Sequence, residues 1–271
     1  MKPGFYDGMT NQDYHNGQGV SSSNIKKMKR SVTHYLADKA NPSAPKPAQQ
    51  FGSLVHTRAL EGSGAFNSQY FMKPAWIKRN TTEGKNADAD LLRKNEGKHA
   101  VAEDDFNRVN QIAAALEGHP TAHSYLQGAI ERAAYWIDPA TGILCKAKAD
   151  CITPEGLIVD LKTTEDASPI AFGRDAASYD YVLSAAHYMD GFEQAALQSG
   201  APPFKPKGFV FVVVEKSAPF GIATYCVRPD QLERGLAERD YCLRKLSNYN
   251  VKSDAWGYST QMEDLELPAW V

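Results

Sequence analysis

The stretch KAKADCITPEGLIVDLKTT, from Lys146 to Thr164, limits the fold more than any other part of the chain. Two apolar-rich runs flank Pro154-Glu155-Gly156. Proline at the first turn position and glycine at the third fit a three-residue hairpin loop, with Gly156 in the left-handed conformation. Such a turn fixes the pairing of the strands. Thr153 falls opposite Leu157, Asp150 opposite Asp160, and Lys148 opposite Lys162. Side chains two residues apart share a face of a strand. The four charges therefore project from one side of the ribbon, while Cys145, Ala147, Ala149, Val159 and Leu161 face a core.

Two carboxylates directly opposite on a ribbon lie about 5 Å apart at Cβ and repel. The pair persists when a cation sits between them or when one carboxyl is protonated. An oxygen-rich pair with room for water suits Mg²⁺ or Mn²⁺ better than zinc. The lysines beside it carry the charge that a phosphate would meet. An acid-x-lysine triplet is a weak signal alone, and Glu83-Gly84-Lys85 and Glu96-Gly97-Lys98 repeat it in polar, glycine-containing stretches. Only Asp160-Leu161-Lys162 follows an apolar run and faces a second acid across a turn.

The rest of the sequence narrows the class. An apolar share of 42% and a charged share of 23% are those of a folded globular protein. No run is long enough to cross a bilayer. The start, MKPGFYDGMTNQDYH, lacks a charged-then-apolar signal pattern, so a cytoplasmic protein without a membrane segment is expected. Cys145, Cys151, Cys226 and Cys242 show no CxxC spacing, against a zinc ribbon or a four-cysteine iron–sulfur site. A net charge of −2 argues against a protein that coats nucleic acid. It leaves room for a DNA enzyme with a local basic groove.

VSSSNIKKMKRSVTHYLADKA reads as one serine-capped helix, with Lys26, Lys27, Lys29 and Arg30 on its polar face. That face is either solvated or in contact with a phosphate backbone. A proline-rich connection follows. FGSLVHTRALEG reads as a short helix stopped by Gly62, and the polar stretch from Phe71 to Lys98 as an irregular loop. AEDDFNRVNQIAAALEG is an amphipathic helix whose acidic start suits its dipole. AIERAAYWID, TGILCKAKADCI and GLIVDLKTT are three consecutive strands, and GFVFVVVE and GIATYCV are two more. Helices are expected from Ser168 to the region of Gly200 and from Arg228 to Tyr249. No internal repeat is present, so residues 1–271 are expected to form a single α/β domain.

Taken in order, GSLVH, ERAAYWIDPATG, KAKAD and IVDLKTTEDAS resemble the RecB-type branch of the PD-(D/E)XK nuclease superfamily, and most closely its RecE (exonuclease VIII) group. The opening VSSSNIKKMKRSVTHYLADK resembles that group's N-terminal helix, so the resemblance covers nearly the whole chain. It implies a restriction-endonuclease-like α/β core, a mixed central sheet flanked by helices. It implies that Asp150 and Asp160 bind metal, helped by the backbone carbonyl of Leu161 and by His56. Lys162 would orient or deprotonate the attacking water and offset phosphate charge. Glu131 matches an acid that helps hold a metal or its waters, although by itself it reads equally as a strand-end surface glutamate. Lys148, Tyr188, Lys26, Lys27, Lys29 and Arg30 are the DNA-contact candidates. One departure stands out: the stretch SAAHY keeps Tyr188 but places Ser184 where the family carries glutamine.

The resemblance further implies a Mg²⁺-dependent exodeoxyribonuclease, with Mn²⁺ able to substitute. It would degrade linear double-stranded DNA 5′→3′ to leave 3′ single strands for recombination. A ring-shaped homo-oligomer and a RecT-like annealing partner belong to the same expectation. The alternatives are an endonuclease or repair nuclease of the superfamily, or a non-catalytic DNA-binding recombination protein.

Overall fold

The computed structural model describes residues 1–78 and 80–267. The first half runs β1 (Gly4–Tyr6), α1 (Asn11–Asn16), α2 (Ser22–Arg30), α3 (Val32–Ala40), α4 (Pro47–His56), a π-helical turn (Thr57–Glu61), α5 (Gly62–Gln69), β2 (Tyr70–Lys73), α6 (Thr82–Lys94), β3 (His99–Ala102), α7 (Glu103–Gly118) and α8 (Pro120–Tyr125). The second half runs β4 (Ala129–Ile137), β5 (Leu144–Ile152), β6 (Leu157–Thr164), α9 (Pro169–Ser178), α10 (Tyr181–Ser199), β7 (Gly208–Glu215), β8 (Ile222–Cys226) and α11 (Pro229–Ser247).

A six-stranded sheet ordered β1-β4-β5-β6-β7-β8 forms the centre, with β2 and β3 paired apart from it. Within the large sheet only β6 and β7 run parallel. This is the mixed α/β architecture expected from the sequence. Both faces are covered. On one, Ile25 and Met28 of α2, Leu183 and Phe192 of α10 and Leu243 of α11 pack against Trp136, Ala147, Ala149 and Ile158. On the other, Phe51 and Val55 of α4 and Val109, Ile112 and Leu116 of α7 pack against Cys151, Val159, Leu161 and Val212. The apolar stripe of α7 is the one its spacing predicts. Close approach of α10 needs Gly191, where a Cβ would lie 2.3 Å from the Trp136 ring.

Two local expectations are corrected and one is extended. The first long helix is two, because Ser31 is extended (φ −170°, ψ 158°) and caps α3 by accepting from the His34 N–H. Gly62 stops its helix as expected, at φ +88°, but the chain does not leave helix there: a further one, α5, starts directly from it. The proposed loop between Phe71 and Lys98 contains α6, capped by Thr81, whose hydroxyl accepts from the Gly84 N–H. Polar residues dominate that helix because only one side of it is covered. Strand β1 has no signal in the sequence; three residues are too few to show a period. Among the described residues no helix is long and apolar enough to cross a membrane.

Candidate active site

The turn at Pro154-Glu155-Gly156 forms as its residue types demand, with Gly156 at φ +91°. Its N–H donates to the Thr153 carbonyl at 2.9 Å, and the Thr153 N–H donates to the Leu157 carbonyl at 3.0 Å. The register pairs Ile152 with Ile158 and Cys151 with Val159. Continued by one residue, that register would set Asp150 against Asp160. There the ladder stops. The next ladder partner of the Leu161 N–H in an antiparallel pair would be the Ala149 carbonyl. It donates instead to Oδ2 of Asp150 at 2.7 Å. The Leu161 carbonyl is also taken by a side chain, accepting from Nε2 of His56 at 2.8 Å. That bond assigns the proton to Nε2 and leaves Nδ1 of His56 facing Oδ1 of Asp150 at 3.6 Å.

The parting of β5 and β6 coincides with a second distortion. Register between β4 and β5 is continuous except at Glu131 and Asp150. Glu131 has φ +54°, a left-handed conformation rare outside glycine. On either side of this point both strands reverse their facing. Ala147 and Ala149 join the α10 side of the core, whereas Cys151 joins the α4 side. The expectation that Cys145, Ala147, Ala149, Val159 and Leu161 share one face is therefore corrected. Val159 and Leu161 lie against α4, opposite the three β5 residues. Lys148 is likewise not held across from Lys162, since no pairing continues beyond Cys151.

The distortion gathers ligands. Ligand atoms of His56, Glu131 and Asp150 lie within 4.8 Å of one another. Asp150 is nearly enclosed, and burial, with Asp160 and Glu131 adding repulsion against the opposing pull of His56 and Lys162, pushes its carboxyl up to about 7. A largely buried cluster with two carboxylates and one imidazole fits a hard divalent cation such as Mg²⁺ or Mn²⁺. The same donor set is poor for a thiolate-preferring metal. Asp160 lies outside that group but close enough to act on Asp150, and it is ion-paired with Lys162. Burial pulls the Lys162 ammonium down, but Asp160 and Asp150 outweigh it and hold the group above the ordinary lysine value. Lys162 is thus a cation at neutral pH. Beside it is a cavity of about 130 Å³, lined by Ser22, Lys26, Asp160, Lys162, Ser184 and Tyr188, among others.

The sequence matches the PDDEXK-like domain of unknown function (DUF3799) over residues 21–263. The chain belongs to this family. No curated protein matches it. Among solved structures, a crystal structure described as "Putative exonuclease" from Eubacterium rectale is similar at 16% identity and a TM-score of 0.58. The match covers 95% of this chain and 96% of that one. At that identity the likeness establishes the shared fold, and the family match is what names it PDDEXK-like.

Within this PDDEXK-like domain the other candidates separate. Glu131 is no surface glutamate: it is mostly buried and pairs with Lys148 at 2.6 Å. Lys148 is turned inward, and its ammonium also donates to Oδ1 of Asn11 at 2.8 Å. It holds Glu131 and α1 rather than presenting itself to a polyanion. The basic face of α2 divides too. Lys26 lines the cavity, its Nζ 5.4 Å from the Tyr181 ring, which Lys162 also overlies at 5.2 Å. Burial, then the Lys162 charge, hold its ammonium down to about 8. Lys27 pairs with Asp38 at 3.0 Å, and Lys29 with Asp180 and Glu238. Arg30 donates to the Tyr258 hydroxyl at 2.8 Å. Ser184 and Tyr188 both face the cavity, so the glutamine of the family pattern is replaced by a short hydroxyl at the same place.

One residue escapes sequence reasoning. Glu61 is an exposed residue within charge range of the candidate metal ligands, and partial desolvation, then Glu131, raise its carboxyl above the ordinary glutamate value. In an α-helix a residue five positions after His56 points about 140° away from it. The π-helical turn, with its i→i+5 bonding, returns Glu61 to the side of His56. No spacing rule for α-helices finds that pair.

Proposed function

We propose that this protein is a metal-dependent deoxyribonuclease that degrades linear duplex DNA from its ends. The gathering of His56, Glu131 and Asp150 where the strands part, with Asp160 and Lys162 beside them, carries the reading. When bound, a divalent ion supplies a Lewis acid for the phosphodiester and lowers the pKa of a water. His56, Glu131 and Asp150 would hold it, with Asp160 and the Leu161 carbonyl at its border. The chain's own residues supply the rest. Lys162 stays protonated and offsets charge on the phosphate in the transition state. Lys26 adds a second cation to the same cavity wall. The Leu161 N–H orients the Asp150 carboxylate, and Lys148 orients that of Glu131, so neither ligand has to reorganise on binding.

Progress in the 5′→3′ direction, a ring-shaped oligomer and a RecT-like annealing partner extend the same reading, supported by the likeness to the RecE group. The test uses end-labelled linear duplex and a covalently closed circle of the same sequence. With Mg²⁺ the linear form should be degraded, EDTA should stop it, and the circle should survive. Asp160→Ala and Lys162→Ala should each lower the rate by about a thousandfold or more, in line with the loss of a preorganised charge in an active site. Both should keep the wild-type circular dichroism spectrum. Comparable destruction of the circle would favour an endonuclease, and full activity in either variant would remove the hairpin from catalysis.

A further inference from the structure

A second opening lies one helical turn along α2 from the cavity. It has a volume of about 760 Å³ and is walled by the start of α3, the last turns of α11 and the segment 253–260. Its character differs from the metal centre. Tyr241 and Tyr258 are 58% and 61% exposed, so much of each ring stands in solvent where burial would have been the favourable state, although Tyr258 also meets the His34 ring at 5.3 Å between centroids. The Lys245 ammonium lies 5.3 Å from the Tyr241 ring, and the Arg30 guanidinium 6.0 Å from that of Tyr258. Arg244 is exposed and makes no ion pair among the described residues. The acid in the wall, Asp254, is occupied: its carboxylate accepts from the Asn250 N–H and the Ser253 hydroxyl, both at 2.9 Å.

Cations beside open aromatic faces are the chemistry by which an unpaired nucleic-acid strand is held, bases stacking on rings while the backbone follows the charge. A duplex offers no open base face to such a wall. Position supports the match. Lys26 lines the cavity with Asp160 and Lys162, and Arg30, four residues on and about 6 Å along the same helix face, bonds Tyr258 in the groove wall. A basic path thus joins the candidate cleavage site to the groove. We infer that this groove binds a single-stranded DNA segment continuous with the strand at the active site, with Tyr241 and Tyr258 as stacking platforms and Arg244 as a phosphate contact.

This inference rests on the nuclease reading for its direction, but binding is measurable without cleavage. The full chain in EDTA is titrated into a fluorescently labelled thymidine oligonucleotide, read by anisotropy. Tyr241→Ala should weaken binding about tenfold, and Tyr241→Phe should retain it, as expected for stacking. Arg244→Ala should weaken binding and reduce the slope of log K against log salt by about 0.7, one phosphate on a single strand. Groove variants that bind like wild type, or a wild type that does not bind the oligonucleotide, overturn the inference even if linear duplex is digested. Binding lost in the groove variants while no metal supports digestion upholds the groove and removes the nuclease reading instead.

Discussion

Asp150 has three roles at once: sheet acceptor, neighbour of His56 and member of a crowded acidic cluster. In metal-free protein its carboxyl is pushed up to about 7, burial being the first cause. A folded-state pKa above the unfolded value near 3.9 means that the fold binds the proton more tightly. The contribution of Asp150 to stability is therefore complete below about pH 4 and is lost as pH rises through about 7. Asp150→Asn keeps an acceptor for the Leu161 N–H and removes the charge. In EDTA its melting temperature should exceed that of wild type by several degrees at pH 8 and by much less at pH 5. Added Mg²⁺ at pH 8 should narrow the gap by stabilising only the wild type. A gap that is the same at both pH values would mean that Asp150 is not held as described. At this scale the sequence was most legible. A proline and a glycine suffice to set the turn and the register of Ile152 with Ile158 and Cys151 with Val159, because turn chemistry is local. The reversal at Glu131 was not legible, since a positive φ in a glutamate depends on tertiary surroundings.

Among the elements, the β5 strand shows why charges occupy a buried position. Lys146 donates to the carbonyls of Tyr14 and Gly17, the latter at 2.6 Å, and Lys148 reaches Asn11. These lysines fasten the N-terminal segment to the sheet, a use that strand periodicity cannot distinguish from substrate contact. The π-helical turn does comparable work on the other face by bringing Glu61 beside His56. Glu61→Gln keeps the shape and removes the charge. It should raise the Mg²⁺ concentration required for half-maximal digestion by about tenfold, the cost of losing an outer-shell partner, with little change at saturating Mg²⁺. An unchanged Mg²⁺ requirement would place Glu61 outside the metal's surroundings. Helix α6 illustrates the converse limit. Its polar composition reads as loop because a helix covered on one side only carries little apolar pattern.

For the molecule as a whole, the site lies where the sheet's two helical layers come closest to sharing residues: α4 supplies His56 from one layer and α2 supplies Lys26 from the other. The seating of α10 on the sheet depends on Gly191. A Cβ there would meet three Trp136 ring atoms at 2.3 to 2.6 Å. Gly191→Ala should cost about 1–3 kcal/mol by overpacking, lowering the melting temperature measurably. The shift should also weaken digestion, because Ser184 and Tyr188 ride on the same helix. A variant as stable as wild type would show that the two layers can slide. The parted strands have a consequence for how such a protein could age. Here a hydrogen bond of the sheet runs through a residue proposed for the chemistry, so on that reading inheritance of the fold and inheritance of the activity are partly the same trait. A descendant freed from cleavage could drift to asparagine at 150 and keep its sheet. Drift to valine would leave the Leu161 amide buried with no acceptor, and selection for folding alone would remove it.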